Sequence, residues 1–310
     1  LDNRVNAMRI LITGASGFIG RQASEIAVGR GAAVHAVVSS MPAERVAGVE
    51  YHVIDLLGDV AAMQERIAAI AATHTLHLAW YAVPGKFWTA AENAQWVDAT
   101  LALARVFGES GGTRFVGAGS CAEYEWASGV CAEATTPCVP ATPYGVAKDT
   151  TRRLLEQWAE QAGVSFAWGR IFFLYGPGEA GERLIPSVIR ALLSGEHAPV
   201  TEGRQVRDFL HVRDVADALV TLLLSDVRGA VNIAAGEPVA VRDVVAMIGE
   251  ALQACGRIRY GAIPMRADEP AVLIGDAARL RDELAWKPQF NLRDGLRDTI
   301  DWWRSVLSAT

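Results

Sequence analysis

The sequence predicts an α/β fold: a doubly wound parallel sheet with a smaller α/β domain toward the C-terminal end. Three observations predict it. Strand-like and helix-like segments alternate through the first 175 residues. The first strand runs into a glycine-rich turn and then a helix. After Tyr175 the alternation gives way to mixed helices and short strands. Regular alternation builds a parallel sheet covered on both faces, because each parallel crossover must return over the sheet.

Each element follows from its local pattern. Residues 9–13 are a short apolar run and read as a buried strand. Residues 19–31 read as a helix ending at glycine, 33–38 as the second strand and 51–54 as the third. Residues 60–72 have a helical pattern, 75–79 and 114–117 read as further strands, and a helix over 93–108 separates them. Pro143 stands where a helix can begin, and 144–161 follow with helical composition before a strand over 165–172. The connection 122–142 is long, and a loop of that length within a compact domain is usually functional or mobile. Gly176-Pro177-Gly178 breaks the pattern. The expected division is 8–175 for the first domain and 176–310 for the second, with parts of the second returning to the first. No internal repeat is evident.

Composition excludes several classes of function. Of 310 residues 51% are apolar, enough for a large core, and the net charge is −6. An acidic chain is a poor match for nucleic acid or anionic membrane surfaces. No uncharged apolar stretch of about 20 residues suggests a membrane span. Ile10-Leu11-Ile12 is too short for a signal peptide. The four cysteines, Cys121, Cys131, Cys138 and Cys255, form no CxxC pair and have no paired histidines nearby, so no metal site is expected. Free thiols point to the cytoplasm. Residues 1–7 precede Met8, are polar, and read as a remnant of expression.

The turn Thr13-Gly14-Ala15-Ser16-Gly17-Phe18-Ile19-Gly20 carries the first chemical signal. Gly14 permits the tight turn, Gly17 lets backbone approach a pyrophosphate, and Gly20 lets the helix pack closely on the strand. The helix N-terminus offers unpaired N–H groups to the phosphates. Gly14, Ser16, Gly17, Phe18, Ile19 and Gly20 are therefore candidate dinucleotide ligands. The second strand ends Val37-Val38-Ser39-Ser40, without the acid that usually accepts the ribose hydroxyls of NAD. A missing carboxylate removes repulsion against a 2′-phosphate, and Ser39, Ser40, Arg21 and Arg45 can donate to one. NADP is thus favoured over NAD; the alternative is that these side chains are solvated surface. Asp55 can accept from the adenine amine or cap a helix.

Tyr144 and Lys148 stand four apart at a helix start, which puts both on one face. A lysine beside a phenol favours the phenolate and lowers its pKa toward the working range. With the glycine turn, this pair makes the chain resemble the extended short-chain dehydrogenase/reductase family, in its nucleotide-sugar branch. The resemblance runs from Met8 almost to the end and includes Asp55-Leu56, His77-Leu78-Ala79, Gly119-Ser120, residues 170–178, Arg207-Asp208-Phe209 and Trp286-Lys287-Pro288. It implies a Rossmann-type doubly wound parallel sheet with a smaller C-terminal substrate domain, and a catalytic set of Ser120, Tyr144 and Lys148. It further implies that Leu56, Leu78, Ala79, Trp80 and Phe172 lie beside the cofactor. Arg207 would hold the nucleotide diphosphate; the alternative is a salt bridge to Asp208 or Asp214. Tyr81, Cys121, Glu123, Phe173 and Arg183 are the other substrate candidates. The family also implies a homodimer through the helices near 93–108 and 144–161.

The departures from the family narrow the reaction. Its 4,6-dehydratases carry an Asp-Glu pair directly after the catalytic hydroxyl residue, where this chain has Cys121 and Ala122. Without that pair, water elimination lacks its proton handlers. Cys121 is one residue out of place for a 3,5-epimerase/4-reductase cysteine and reads as small apolar filler. Glu123 is either an acceptor of substrate hydroxyls or a loop carboxylate. Phe173 replaces an asparagine common in relatives. Trp80, Tyr81, Phe87 and Trp88 either stack on a ligand or form loop core. The leading expectation is NADPH-dependent reduction of the 4-keto group of a nucleotide-linked 6-deoxyhexose. The alternatives are a 4-epimerase that retains NAD, and a non-catalytic dinucleotide-sensing protein.

Overall fold

A computed structural model of the chain describes residues 8–265 and 269–308. The leader expectation for residues 1–7 lies outside the described residues. The strands in chain order are β1 (Arg9–Thr13), β2 (Ala33–Val38), β3 (Val49–Val53), β4 (His74–His77), β5 (Arg114–Ser120), β6 (Val130–Cys131), β7 (Ser165–Ile171), β8 (Phe173–Tyr175), β9 (Ala198–Pro199), β10 (Val206–His211), β11 (Gly229–Ile233), β12 (Pro238–Ala240), β13 (Ile258–Arg259) and β14 (Val272–Gly275).

Seven of them form the main sheet in the order β11-β7-β5-β4-β1-β2-β3, and every pairing is parallel. Strand order reverses between β1 and β4, and the crevice beyond the carboxyl ends at such a reversal is where ligands bind in open α/β sheets. The expected doubly wound fold is therefore present. Strand β1 is buried from Ile10 onward, as a strand covered on both faces must be.

On one face, the helix Phe18–Gly29 turns Gly20, Ala23, Ser24 and Ala27 inward. Its small residues let it pack closely against the helix Val212–Leu223. On the other face, the helices Val60–Ile70, Glu92–Glu109 and Pro143–Ala162 close over a core that includes Leu11, Phe115, Phe166 and Trp168. Local caps start and stop these helices. Asp59 accepts from the Ala62 N–H at 2.8 Å, and Thr142 accepts from the Gly145 N–H at 3.1 Å, just ahead of Pro143. Gly163 ends the Pro143–Ala162 helix in the left-handed region at φ 69°.

The element bounds differ from expectation mainly at turns. The first helix ends two residues before Gly31, where Arg30 makes the cap. Strand β4 stops at His77 because Leu78 and Ala79 turn inward to the Thr13 hydroxyl. Strand β5 runs on to Ser120 and carries that residue to the crevice.

The second sheet has the order β12-β10-β14-β6, with β8 paired to β10. Helices Leu184–Leu193, Val241–Ala251 and Leu292–Ser308 enclose a core around Ile189, Val244 and Ile300. Two later segments, the helix Val212–Leu223 and strand β11, return to the main sheet. The connection 122–142 is not structureless: it holds a short helical turn and β6, which pairs with β14.

Candidate functional site

A cavity of about 1040 Å³ opens at the carboxyl ends of the main sheet, between it and the second sheet. The glycine turn forms one wall. Gly14 has φ +66°, and a Cβ there would lie 2.8 Å from the Ala79 nitrogen. A Cβ on Gly20 would lie 2.1 Å from the Gly14 carbonyl oxygen, so helix and turn touch through bare backbone. Thr13 ties this wall to the next strand. Its hydroxyl accepts from the Leu78 and Ala79 N–H groups and meets His77 Nδ1 at 2.8 Å. His77 continues to the Thr100 hydroxyl at 2.9 Å, and burial pushes its pKa down to about 3, so it is neutral. Gly14, Ser16, Gly17, Phe18, Ile19, Gly20, Ser39, Asp55, Leu56, Leu78, Ala79, Trp80 and Phe172 all line the cavity. The residues present fit a dinucleotide: a side-chain-free cradle faces the open helix N-terminus.

Ser40 is exposed and does not line the cavity. Arg21 is committed to Glu44 at 2.6 Å and Glu25 at 3.5 Å, and Arg45 is exposed. Neither arginine is among the lining residues. Asp55 accepts from the Leu57 N–H at 3.0 Å, a turn-capping role, while also lining the cavity.

The expected catalytic set meets in this cavity. Ser120 ends β5, and its hydroxyl accepts from the Ala122 N–H at 3.2 Å. Its own N–H donates to Glu123 Oε1 at 2.7 Å, closing a reciprocal cap. Glu123 itself is fully buried and turned away from the cavity. It accepts from Trp168 Nε1 at 2.9 Å and from Arg170 Nε at 2.8 Å. The expectation that Glu123 meets substrate hydroxyls is thereby corrected: its carboxylate holds Ser120 from behind.

Tyr144 is half-buried and meets the Phe87, Trp88 and Trp80 rings edge-on, at centroid distances of 4.8, 5.8 and 6.5 Å. This burial pushes the phenol pKa up, opposed by a hydrogen bond with Ser120. Lys148 is buried, donates to the Ala118 carbonyl at 2.9 Å, and lies 3.7 Å from the Trp80 ring centroid. Burial pushes it down to about 7, opposed by the charge of Glu123. The expected lowering of the tyrosine pKa by lysine is therefore not found. The ammonium is taken up by an indole face and a carbonyl, 5.9 Å from the Tyr144 ring centroid. Trp80 is held for this by its Nε1–H donating to Asn93 at 2.9 Å. Trp80, Phe87 and Trp88 line the cavity; Tyr81 does not.

On the substrate side, Cys121, Phe173, Arg183 and Arg207 line the cavity. Burial pushes the Cys121 thiol up to about 12, which suits an inert filler. Arg207 is buried and pairs with Glu269 at 2.8 Å, not with Asp208 or Asp214. Those two carboxylates accept backbone N–H groups: Asp208 from Ala235 and Gly236, Asp214 from Gln289 and Phe290. Among the lining residues that carried no expectation are Glu269, Trp126 and Glu179. Glu179 is buried 3.6 Å from Arg183, and desolvation pushes it up to about 7. It stands directly after the Gly176-Pro177-Gly178 breaker, and that position was its one sequence signal.

A profile described as NAD dependent epimerase/dehydratase family matches residues 10–234. A dTDP-glucose 4,6-dehydratase from Xanthomonas campestris pv. campestris is 32% identical over 179 residues, covering 54% of this chain and 51% of that protein. A GDP-6-deoxy-D-mannose reductase from Pseudomonas aeruginosa is 30% identical over 173 residues, covering 54% of this chain and 57% of that protein. The chain spans about half the length of these curated relatives. Among solved structures, a UDP-glucose 4-epimerase with UDP-glucose from Thermotoga maritima superposes with a TM-score of 0.87 at 23% identity, covering 97% of this chain and 100% of that one. MoeE5 in complex with UDP-glucuronic acid and NAD gives a TM-score of 0.82 at 31% identity, covering 96% and 99%.

Proposed function

The chain belongs to the NAD dependent epimerase/dehydratase family, and from that premise we propose that it reduces the 4-keto group of a nucleotide-linked 6-deoxyhexose with NADPH. One observation carries the proposal. Ser120, Tyr144 and Lys148 share one cavity, while the two positions after Ser120 are Cys121 and Ala122 and the acid that follows is locked behind the strand. The site thus has a carbonyl-reducing set without carboxylates where a dehydratase needs proton handlers.

The dinucleotide, when bound, supplies the hydride that adds to the carbonyl carbon. Tyr144 gives its phenolic proton to the carbonyl oxygen, and the product is a hydroxyl. The phenol is protonated at neutral pH, the form that can give a proton to the carbonyl oxygen. Ser120, fixed by Glu123, donates to the oxygen as charge develops on it. Lys148 would hold the nicotinamide ribose when the dinucleotide is bound. Gly14, Ser16, Gly17, Phe18, Ile19 and Gly20 cradle the pyrophosphate, and Ser39 at an acid-free strand end supports NADP over NAD. Cys121, Phe173, Arg183 and Arg207 meet the substrate, with Arg207 on its diphosphate.

We assign a homodimer through the helices Glu92–Glu109 and Pro143–Ala162; Val146 and Leu154 are exposed on the latter. No disulfide joins the four cysteines, which supports a reducing, cytoplasmic setting. No helix among the described residues is long and apolar enough to cross a membrane. A second reading is a 4-epimerase with retained NAD, favoured by the full-length likeness to the NAD-bound MoeE5.

The test is direct. Purified protein is mixed with NADPH and a panel of nucleotide-linked 4-keto-6-deoxy sugars while nicotinamide absorbance is followed. Oxidation with one sugar and its loss in Tyr144→Phe are expected. No oxidation across the panel overturns the reductase, and tightly held NAD in the same preparation transfers the case to the epimerase.

A further inference from the structure

A cluster of histidine and carboxylate ligands lies on the main sheet outside this cavity. His35 on β2 is in register with Glu50 on β3, and Val37 is in register with His52, so strand pairing brings the three side chains together. His35 Nδ1 and His52 Nε2 are 3.0 Å apart. Glu50 spans both: its Oε2 lies 3.5 Å from His35 Nδ1 and its Oε1 lies 3.6 Å from His52 Nε2. Both imidazoles are half-buried and Glu50 is exposed. One ligand atom from each of the three residues, carried on two neighbouring strands, lies within 4.8 Å of the other two.

These spacings have a chemical meaning. Ligand atoms about 2.0 Å from a tetrahedral zinc ion are about 3.3 Å from each other. The two ring nitrogens, 3.0 Å apart, stand near that edge length, and each lies 3.5 or 3.6 Å from a different oxygen of Glu50, so the carboxylate can present either oxygen or both. Two ring nitrogens at this distance share one proton, and a cation can replace that proton while using both lone pairs. Two imidazoles and a carboxylate suit a first-row divalent ion, with water filling the remaining position. Arg9, on the adjoining strand, commits its guanidinium to the Ile70 carbonyl at 2.8 Å and to that of Ala71. We propose that His35, Glu50 and His52 bind a divalent transition-metal ion such as Zn²⁺.

The position suggests what the ion does. His35 stands three residues before Val38 and His52 three before Asp55, and both of those line the dinucleotide cavity. At about 3.3 Å per residue the ion sits about 10 Å below the cavity floor. It would staple β3, the edge strand of the sheet, to β2.

The test uses the full chain stripped with chelator, titrated with Co²⁺ and followed by the ligand-field absorption of the cobalt. Zn²⁺ loading, desalting and elemental analysis then measure stoichiometry. One ion per chain is expected, together with a higher melting temperature in Zn²⁺. His52→Ala and Glu50→Gln should each weaken binding by more than about tenfold, the loss that an outer-shell partner alone can produce. His197→Ala, at a histidine remote in the fold, should bind as the parent does. Glu50 is exposed, so its variant keeps the test intact even if a histidine variant fails to fold. No stoichiometric binding, or binding unchanged in both ligand variants, overturns the proposal.

Discussion

Replacing Lys148 with methionine should stabilise the protein. Lys148 is 4% exposed, and burial brings its pKa from 10.5 to about 7. Each pKa unit is worth about 1.4 kcal/mol, so keeping this charge folded costs about 5 kcal/mol below pH 7. Lys148→Met removes that cost. It also loses the cation–π contact with Trp80 and the bond to the Ala118 carbonyl, each worth about 1 kcal/mol. A net gain of about 3 kcal/mol remains for the protein free of dinucleotide. The folded pKa lies below the unfolded one, so between about pH 7 and 10.5 the unfolded chain binds more protons and parental stability rises with pH. The penalty is complete below that window and gone above it. Urea unfolding of parent and variant at pH 6.5 and pH 10 measures both effects. The variant should be the more stable at pH 6.5, the gap should narrow at pH 10, and reductase activity should be lost. A variant less stable than the parent at pH 6.5, or a gap that does not change with pH, refutes the reasoning.

Other perturbations have equally definite outcomes. Arg170→Met leaves the Glu123 carboxylate buried without its cation, which costs about 3–5 kcal/mol and lowers the melting temperature by roughly 5–8 °C in calorimetry; a loss under about 1 kcal/mol would mean that water reaches the pair. Gly20→Ala drives a Cβ to 2.1 Å from the Gly14 carbonyl, so dinucleotide affinity in a fluorescence titration should collapse together with stability. Ser39→Asp should move the kcat/KM ratio from NADPH toward NADH by about tenfold, as a carboxylate at this strand end accepts ribose hydroxyls and repels a 2′-phosphate. An unchanged ratio would remove Ser39 from the account of cofactor choice.

What could be read without coordinates was local. The glycine spacing and alternating segments describe events within a few residues; the order of the strands, and with it the crevice at the β1–β4 reversal, is not among them. The partners of buried charges are not local. Glu123 meets Trp168 and Arg170, which lie 45 and 47 residues further on. Its cap on Ser120 carried no expectation, and nothing nearby told that its carboxylate points inward. Arg207 shows the opposite trap. Asp208 is its neighbour in sequence, but successive residues of a strand point to opposite faces, so the pairing falls to Glu269, 62 residues away. The Tyr144–Lys148 spacing put both on one face but said nothing of the indole that receives the ammonium. Likewise His35 and His52 lie 17 residues apart, and only strand register unites them.

Strand β11 has a consequence for how the chain is made. It pairs along β7 from Ala167 to Ile171, closing one edge of the main sheet with residues synthesised some sixty positions later. Until residue 233 has left the ribosome, β7 presents a bare row of N–H and C=O groups beside the apolar face that the helix Val212–Leu223 will cover. An open edge of this kind templates association with other chains. A chain halted after Tyr175 would contain the whole glycine turn and the Ser120–Tyr144–Lys148 set, yet would tend to aggregate rather than fold. Folding of the nucleotide-binding half thus waits for the half that follows it, and nascent chains paused in the interval are where chaperones should be found.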